Sequence, residues 1–257
     1  MMSVLDLFRL DGKVALVTGA SRGLGQAIAV ALAEAGANIA GLDRTEDCHE
    51  TCAQVESFGR RFLTLSVDLI NASVADLNAV VGQVKTELGS LDILVNNAGI
   101  IRRAPALDFS EQDWDDVIQL NQKTVFFLSQ AAGRVMKEQG SGKIINIASM
   151  LSFQGGIIVP SYTAAKSAVA GLTRALANEW AASGINVNAI APGYMATDNT
   201  AQLRADANRS ESILARIPAG RWGTPEDLRG IAVFLASPAS DYMNGAIVPV
   251  DGGWMAR

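Results

Sequence analysis

Seven short apolar runs recur along the chain, and most of them are too continuously apolar to leave one face in water. Buried parallel strands have this pattern, because helices cover both faces of their sheet. Amphipathic or alanine-rich stretches separate the runs and close on glycines of the kind that end helices. The alternation predicts an α/β fold with a parallel sheet and helices on both faces. The predicted strands are KVALVTG, NIAGLD, RFLTLSVD, LDILVNNAG, GKIINIAS, INVNAIAPG and AIVPVDGG.

No linker, repeat or low-complexity block interrupts this pattern, so residues 1–257 are expected to form a single domain. The least regular stretch is about 192–222, a polar segment that follows the sixth predicted strand. In open α/β sheets, ligands bind beyond the carboxyl ends of the strands. The segment is therefore a candidate lid, and an extra surface helix is an equally open interpretation.

The composition excludes several classes of protein. Hydrophobic residues make up 49% of the chain and the mean hydropathy is +0.21, which suits a buried sheet. The net charge of -5 provides no basic field for nucleic acid. No apolar run is long enough to cross a bilayer, and charged residues interrupt the N-terminus where a signal peptide would be apolar. We expect a cytoplasmic protein without nucleic-acid or membrane partners.

The chain's two cysteines flank its one histidine in CHETC. Cys48, His49 and Cys52 fall short of a tetrahedral ligand set, and no second cluster of such residues exists, so no metal site is expected. A lone histidine in this segment also argues against a Ser-His-Asp mechanism. Acid/base chemistry would then come from tyrosine, lysine or carboxylates.

A glycine-rich turn, VTGASRGLGQAIA, follows the first predicted strand and opens the first predicted helix. Gly19, Gly23 and Gly25 let the backbone turn sharply and approach a pyrophosphate, while the helix N-terminus supplies unpaired N–H groups. This strand, turn and helix context predicts a dinucleotide site.

Asp43 ends the second predicted strand, where a carboxylate can accept hydrogen bonds from the adenosine ribose. It would repel a 2'-phosphate, which favours NAD over NADP. Arg22 and Arg44 complicate that choice, because either could pair with the phosphate. Asp68 ends the third strand and could meet the adenine edge or cap a helix.

Tyr162 and Lys166 lie four residues apart in SYTAAKSAV and face the same side of a predicted helix. A neighbouring ammonium is expected to lower the pKa of the phenol and make it a usable acid/base. Ser149, just past the fifth strand, can hydrogen-bond a carbonyl or alkoxide. Asn121, an amide on an otherwise apolar helix, could hold a water that passes protons from Lys166.

Together these residues resemble the classical short-chain dehydrogenases/reductases, and the resemblance covers essentially the whole chain. The matching positions are the turn from Thr18 to Gly25, Asn96-Asn97-Ala98-Gly99, Asn121, Ser149, Tyr162, Lys166, Pro192-Gly193 and Thr197.

The resemblance implies a Rossmann-type, doubly wound domain with a nucleotide-binding part at about 10–145, a catalytic part at about 146–257 and a homotetrameric assembly. It makes Tyr162 the general acid/base, with Lys166 binding the nicotinamide ribose, Ser149 orienting the substrate and Asn121 anchoring the relay water. The residues it implies for the cofactor, NAD rather than NADP, are Gly19, Ser21, Arg22, Gly23, Leu24, Gly25, Asp43, Asp68, Leu69, Asn97, Ala98, Gly99, Tyr162, Lys166, Pro192, Gly193 and Thr197.

Longer stretches, among them NNAGIIRR and ILARIPAGRWG, resemble the sugar-acid dehydrogenases of this family, which act on a 2-keto-3-deoxy acid or on gluconate. A flexible six-carbon acid needs its carboxylate held away from the reacting carbon, and guanidinium binds carboxylate with two parallel hydrogen bonds. Arg102 and Arg103 are the candidates, with Arg103 favoured. The remaining substrate candidates are Ser149 and Tyr162, with Gln154, Met150, Arg204 and Trp222 as weaker ones.

Two alternatives remain open from the sequence. One is a dehydrogenase for another polyol, sugar or 3-oxoacyl substrate, for which neither arginine would matter. The other is a catalytically idle nucleotide-binding protein, against which the intact set of Ser149, Tyr162, Lys166 and Asn121 argues.

Overall fold

The computed structural model describes residues 3–45 and 47–256. Their core is one seven-stranded sheet in the order β3-β2-β1-β4-β5-β6-β7, with every neighbouring pair parallel. The predicted sheet is confirmed, and each of the seven apolar runs forms a strand. The strands are β1 (Val14–Thr18), β2 (Asn38–Asp43), β3 (Phe62–Ser66), β4 (Ile93–Asn96), β5 (Gly142–Ile147), β6 (Ile185–Pro192) and β7 (Ile247–Val250).

Helices pack on both faces of this sheet because successive strand residues point to opposite sides. Val14 and Leu16 of β1 enter a core with α3, α5 and α6, while Ala15 and Val17 enter a core with α1, α2 and α9. The helices are α1 (Gly23–Glu34), α2 (His49–Ser57), α3 (Val74–Leu88), α4 (Glu111–Ile118), α5 (Thr124–Gln139), α6 (Pro160–Trp180), α7 (Ala201–Ala205), α8 (Ala207–Arg216) and α9 (Arg229–Ala236).

The strand order reverses direction at β1, which pairs with β2 on one side and β4 on the other. At such a switch point the loops after the two strands leave in opposite directions and open a crevice beyond their carboxyl ends. The sheet therefore fixes where a ligand can bind.

The polar segment after β6 is mainly helical. It contains a short 3-10 turn at Asp198–Thr200, followed by α7 and α8. Ile213 and Ile217 pack with Met150 and Trp254 in a small apolar core of their own. The surface-helix interpretation describes the segment's structure, and a lid movement stays a prediction.

Within the described residues, no helix is long and apolar enough to cross a membrane, and no group of histidine, cysteine and carboxylate side chains could hold a metal ion.

Candidate active site

A cleft of about 630 Å³ lies at the switch point, between the loops that follow β1 and β4. It runs from the glycine-rich turn to Tyr162 and Lys166 on α6, so one continuous space joins the nucleotide end to the candidate chemistry. The predicted cofactor residues that line it are Gly19, Ser21, Arg22, Gly23, Leu24, Asp43, Asp68, Leu69, Asn97, Ala98, Gly99, Tyr162, Lys166 and Thr197.

The glycine-rich turn fits a pyrophosphate at the start of α1. Gly19 and Gly23 have positive φ angles of 67° and 59°, and a Cβ at Gly23 would meet nothing within 4 Å. Arg22, the N-cap residue of α1, makes no side-chain capping bond, so the first N–H groups of the helix are available to an anion. The turn therefore offers both space and donors.

Three of the predicted cofactor residues are not among those lining the cleft. A Cβ at Gly25 would lie 1.9 Å from the carbonyl oxygen of Gly19, so Gly25 permits close packing of α1 against the turn. Pro192 ends β6, and Gly193 donates its N–H to the Val250 carbonyl and lines a smaller neighbouring cavity of about 130 Å³.

Asp43 is already bonded to the turn. Its Oδ2 accepts from the N–H and hydroxyl of Ser21 at 3.1 and 2.6 Å, and its Oδ1 accepts from the Arg44 N–H at 2.7 Å. The carboxylate is thereby fixed at the rim of the cleft, where a ribose hydroxyl could donate to it. Asp68 lines the cleft and accepts from the Ile70 N–H within a turn, whereas Ser73 is the N-cap of α3, so Asp68 is not a helix-start cap.

Asn97 joins the two loops that frame the cleft. Its amide nitrogen donates to the carbonyls of Thr18 and Gly19 at 2.9 and 3.2 Å. The Thr18 hydroxyl in turn accepts from the N–H groups of Asn97 and Ala98. These bonds hold the glycine-rich turn in fixed register with β4.

Lys166 lies one helical turn after Tyr162, with its Nζ 5.6 Å from the centre of the Tyr162 ring. The ammonium is buried and donates to the Ile147 carbonyl at 2.5 Å. Burial lowers the pKa of Lys166 to about 8, because a low-dielectric environment disfavours the charged form.

The expectation that Lys166 lowers the pKa of Tyr162 is wrong for this geometry. Burial raises the pKa of Tyr162 above its ordinary value. The opposing effects come from a hydrogen bond with Ser149 and from the charge of Arg103, both of which favour the phenolate. Tyr162 is therefore held as a neutral phenol at neutral pH, ready to donate a proton.

Ser149 lies beyond the carboxyl end of β5, as the sequence predicts, and is nearly buried. Its hydroxyl accepts from the Leu151 N–H at 3.1 Å, which fixes it at the start of a 3-10 turn, Met150–Ser152. The same side chain hydrogen-bonds Tyr162. Ser149 and Tyr162 can thus reach one substrate oxygen together.

Asn121 is fully buried in a π-helical turn, Gln119–Lys123, between α4 and α5. Its Oδ1 accepts from the Ile100 N–H at 2.9 Å and its Nδ2 donates to the Ile100 carbonyl at 2.8 Å. The side chain therefore clamps the loop after β4, and its role in a water relay stays a prediction. Single π turns are frequent at functional sites.

The two adjacent arginines have different surroundings. Arg102 pairs with Asp113 and Asp116 of α4 at 3.1 and 3.3 Å, so its charge is compensated within the fold. Arg103 is exposed, donates to the backbone carbonyl of Asn199 at 2.9 Å, and its charge acts on Tyr162. Of the two arginines, Arg103 is the one whose charge acts on Tyr162.

The weaker substrate candidates have partners of their own. The Gln154 Oε1 accepts from the Trp254 indole at 3.4 Å, and Arg204 donates to the Thr197 carbonyl at 3.2 Å. Met150 is buried in the small apolar core, and the ring of Trp222 meets that of Tyr194 edge to face at 5.5 Å. None of the four is among the residues that line the cleft.

Sequence reasoning missed several residues of the cleft. Ile147 is the clearest case, because its carbonyl fixes Lys166, and no sequence motif marks a backbone acceptor. Asp198 and Asn199 lay inside the candidate lid, and their partners Arg22 and Arg103 are distant in sequence. The other missed lining residues are Leu42, Val67, Ile70, Ile100, Leu120, Ala196 and Pro225.

Comparison with known proteins places the chain in a family. The family model described as enoyl-(acyl carrier protein) reductase matches residues 19–255. A 2-dehydro-3-deoxy-D-gluconate 5-dehydrogenase of Dickeya dadantii is 62% identical over 99% of this chain and 100% of its own length.

Two solved structures have the same fold along their whole length. One, from Agrobacterium tumefaciens, is named as a candidate 2-deoxy-D-gluconate 3-dehydrogenase with bound NADP. It is 57% identical, covers 98% of this chain and 99% of its own, and has a TM-score of 0.90. A gluconate 5-dehydrogenase of Burkholderia cenocepacia in complex with NADP and tartrate is 41% identical, covers 99% and 100%, and has a TM-score of 0.95. The chain belongs to the short-chain dehydrogenase/reductase family of oxidoreductases.

Proposed function

We propose that this chain is an NAD-linked oxidoreductase that interconverts 2-dehydro-3-deoxy-D-gluconate and 3-deoxy-D-glycero-2,5-hexodiulosonate during pectin and uronate breakdown. The observation that carries the proposal is Arg103, an exposed cation whose charge acts on the phenol of Tyr162. A sugar acid bound there would present a carboxylate to the arginine and a reacting oxygen to the tyrosine. The 62% identity to the Dickeya enzyme over its full length supports this substrate.

In the proposed reaction, the cleft would hold a nicotinamide, which would supply or accept the hydride at the C5 carbon. Tyr162 gives its proton to the C5 oxygen in the reducing direction and takes it back in oxidation. Ser149 orients that oxygen through its hydroxyl. Lys166, fixed by Ile147, lies on the same face of α6 and is proposed to bind the nicotinamide ribose and pass protons onward.

In this proposal Arg102 and Arg103 have different roles. Arg103 takes the substrate carboxylate, since its guanidinium is exposed and its present partner, a single backbone carbonyl, is neutral. Arg102 holds the loop after β4 against α4 through Asp113 and Asp116. A bidentate pair between guanidinium and carboxylate is stronger than one hydrogen bond from guanidinium to a neutral carbonyl, so a carboxylate can displace the Asn199 contact.

The second candidate is a gluconate 5-dehydrogenase that uses NADP. The likeness to the Burkholderia enzyme favours it, because that protein is named for gluconate and was solved with NADP. Asp43 favours NAD instead, since its carboxylate would repel a 2'-phosphate.

The deciding experiment is a hydride-transfer assay with purified protein. We expect turnover with NADH and the 2,5-diketo acid to exceed turnover with NADPH and 5-ketogluconate. The opposite order would replace the proposal with the second candidate. No turnover of either pair would favour a dehydrogenase for another polyol or a catalytically idle nucleotide-binding protein.

Arg103→Ala should raise the KM for the sugar acid at least tenfold, and Arg102→Ala should raise it less.

The same proposal includes a single folded domain, a cytoplasmic location and a homotetramer. The continuous sheet through β7 supports the single domain. The lid role of about 192–222 also belongs to the proposal, since Thr197 and Asp198 of this segment line the cleft.

A further inference from the structure

An ion pair spans the mouth of the cleft. Arg22 of the glycine-rich turn lies with its Nη1 3.2 Å from the Oδ2 of Asp198, which belongs to the 3-10 turn after β6. Both residues line the cleft, and both side chains are largely exposed, at 80% and 76%. The pair therefore joins two walls of the cleft.

The charges around this pair are balanced. Asp43 is bonded to Ser21, the neighbour of Arg22, and so marks the ribose end of the cleft. Arg44 lies at the same rim with an exposed guanidinium, for which no side-chain partner exists among the described residues. Arg22, Arg44, Asp43 and Asp198 thus bring two positive and two negative charges to the rim where a 2'-phosphate would be placed.

A 2'-phosphate is usually held by an arginine near the ribose, while NAD needs only the carboxylate that accepts its 2'-hydroxyl. In this chain Arg22 is next to the residue that Asp43 binds, but its guanidinium is turned across the cleft to Asp198. We propose that Asp198 is a coenzyme-specificity residue, which holds Arg22 and so withholds its guanidinium from the 2'-phosphate of NADP. The inference rests on the proposed nicotinamide-dependent function.

The expected effect is modest because exposed ion pairs contribute little. Freeing Arg22 should strengthen NADPH binding by about two- to fivefold, which is the range that such a pair can contribute. Binding of NADH should change by less than about twofold, because NADH has no 2'-phosphate to meet the freed guanidinium.

The test is a fluorescence titration of NADH and NADPH without any sugar acid, on the full chain. Asp198→Asn should lower the Kd ratio of NADPH to NADH two- to fivefold. Arg22→Gln should remove that gain, so the double variant should match Arg22→Gln alone. Glu138→Gln, which breaks the exposed Lys85–Glu138 pair outside the cleft lining, is the control and should leave the ratio unchanged.

Three results would overturn the inference while leaving the proposed function intact. An equal change in both Kd values would show that the pair only closes the cleft. A gain that persists with Gln at position 22 would assign the effect to the charge of Asp198 alone. Loss of the gain in Asp198→Asn/Arg44→Gln, with Arg22 still present, would assign phosphate binding to Arg44. Failure of the wild type to bind either dinucleotide would overturn both proposals together.

Discussion

Burial has opposite consequences for the charges of Tyr162 and Lys166, although one environment surrounds both. It raises the pKa of the tyrosine and lowers that of the lysine, because a low-dielectric environment disfavours the charged form of each group. At neutral pH the tyrosine therefore keeps its proton for the reducing direction. Ser149 and Arg103 moderate the shift of Tyr162 and bring its phenolate within reach of the reverse reaction.

Tyr162→Phe tests the acid/base role directly. The change removes the hydroxyl that bonds Ser149 and keeps the ring, so we expect kcat to fall by about 10²- to 10⁴-fold in hydride transfer. NADH binding by fluorescence titration should stay within about twofold of the wild type. A variant with unchanged kcat would instead support an idle nucleotide-binding protein.

The lowered pKa of Lys166 makes stability depend on pH in a defined direction. Between about pH 8 and 10.5 the unfolded chain binds more protons at this lysine than the folded chain, so wild-type stability rises with pH through that window. Below pH 8 the burial cost of the charge is fully present and reaches about 3 kcal/mol.

Urea unfolding of Lys166→Met measures this cost. The free energy of unfolding of the variant, relative to wild type, should fall by about 3 kcal/mol between pH 7 and pH 10.5. Loss of the bond to Ile147 changes the free energy of unfolding of the variant by the same amount at both pH values, so the pH dependence is unaffected. Lys137→Met, at an exposed position on α5, is the control, and an equal slope in both variants would contradict the assignment to Lys166.

At the scale of elements, the entry to α6 is strained. Ile158 has a φ of +59°, which is rare for a β-branched residue, and no other non-glycine residue in the described chain has a positive φ. Its carbonyl accepts from the Ala104 N–H at 3.1 Å. This contact joins the loop that bears Arg103 to the helix that bears Tyr162, so the strained residue helps set the spacing between them.

Ile158→Gly should relieve this strain. Strain of about 1–3 kcal/mol is partly offset by the flexibility of glycine in the unfolded chain, so we expect a net gain in stability of up to about 1 kcal/mol. Its exposed neighbour Ile157 has no positive φ, and Ile157→Gly should lower stability instead. Urea unfolding of both variants decides between these outcomes, and an equal loss in both would show that Ile158 is unstrained.

The strands and the glycine-rich turn were predictable from sequence because both follow from local patterns. Apolar runs mark all seven strands, and the positive φ of Gly19 and Gly23 follows from a tight turn that only glycine tolerates easily. The role of Gly193 was not predictable, since its contact with the distant Val250 carbonyl decides it.

Within the site, the partners of individual side chains could not be predicted from the sequence. That Arg102 faces Asp113 while Arg103 faces Asn199 depends on the path of one loop and on segments far along the chain. The pKa of Tyr162 could not be obtained from the spacing to Lys166 alone, because burial outweighs the neighbouring charges.

At the scale of the whole molecule, the two edges of the sheet differ in how far other elements cover them. The β3 edge is close to α2, while β7 is half-exposed along Ile247–Val250 and has Pro249 exposed in its middle. Proline makes an edge strand less able to pair with another strand, because it has no N–H donor. The apolar side chains of β7 still favour burial against another surface. Tyr242, just before this strand, is fully exposed. These features support the proposed association of four copies through this end of the chain.

Light scattering on the wild type should therefore give four times the chain mass of 27.0 kDa. Tyr242→Glu places a charge on the half-exposed end of the sheet and should lower the measured mass, because burying an unpaired carboxylate in an interface is costly. Phe58→Glu, at an exposed aromatic residue after α2, is the matched control and should leave the mass unchanged. A wild type that elutes at the mass of one chain would refute the tetramer, whereas a smaller mass in the control alone would move the interface to the opposite edge of the sheet.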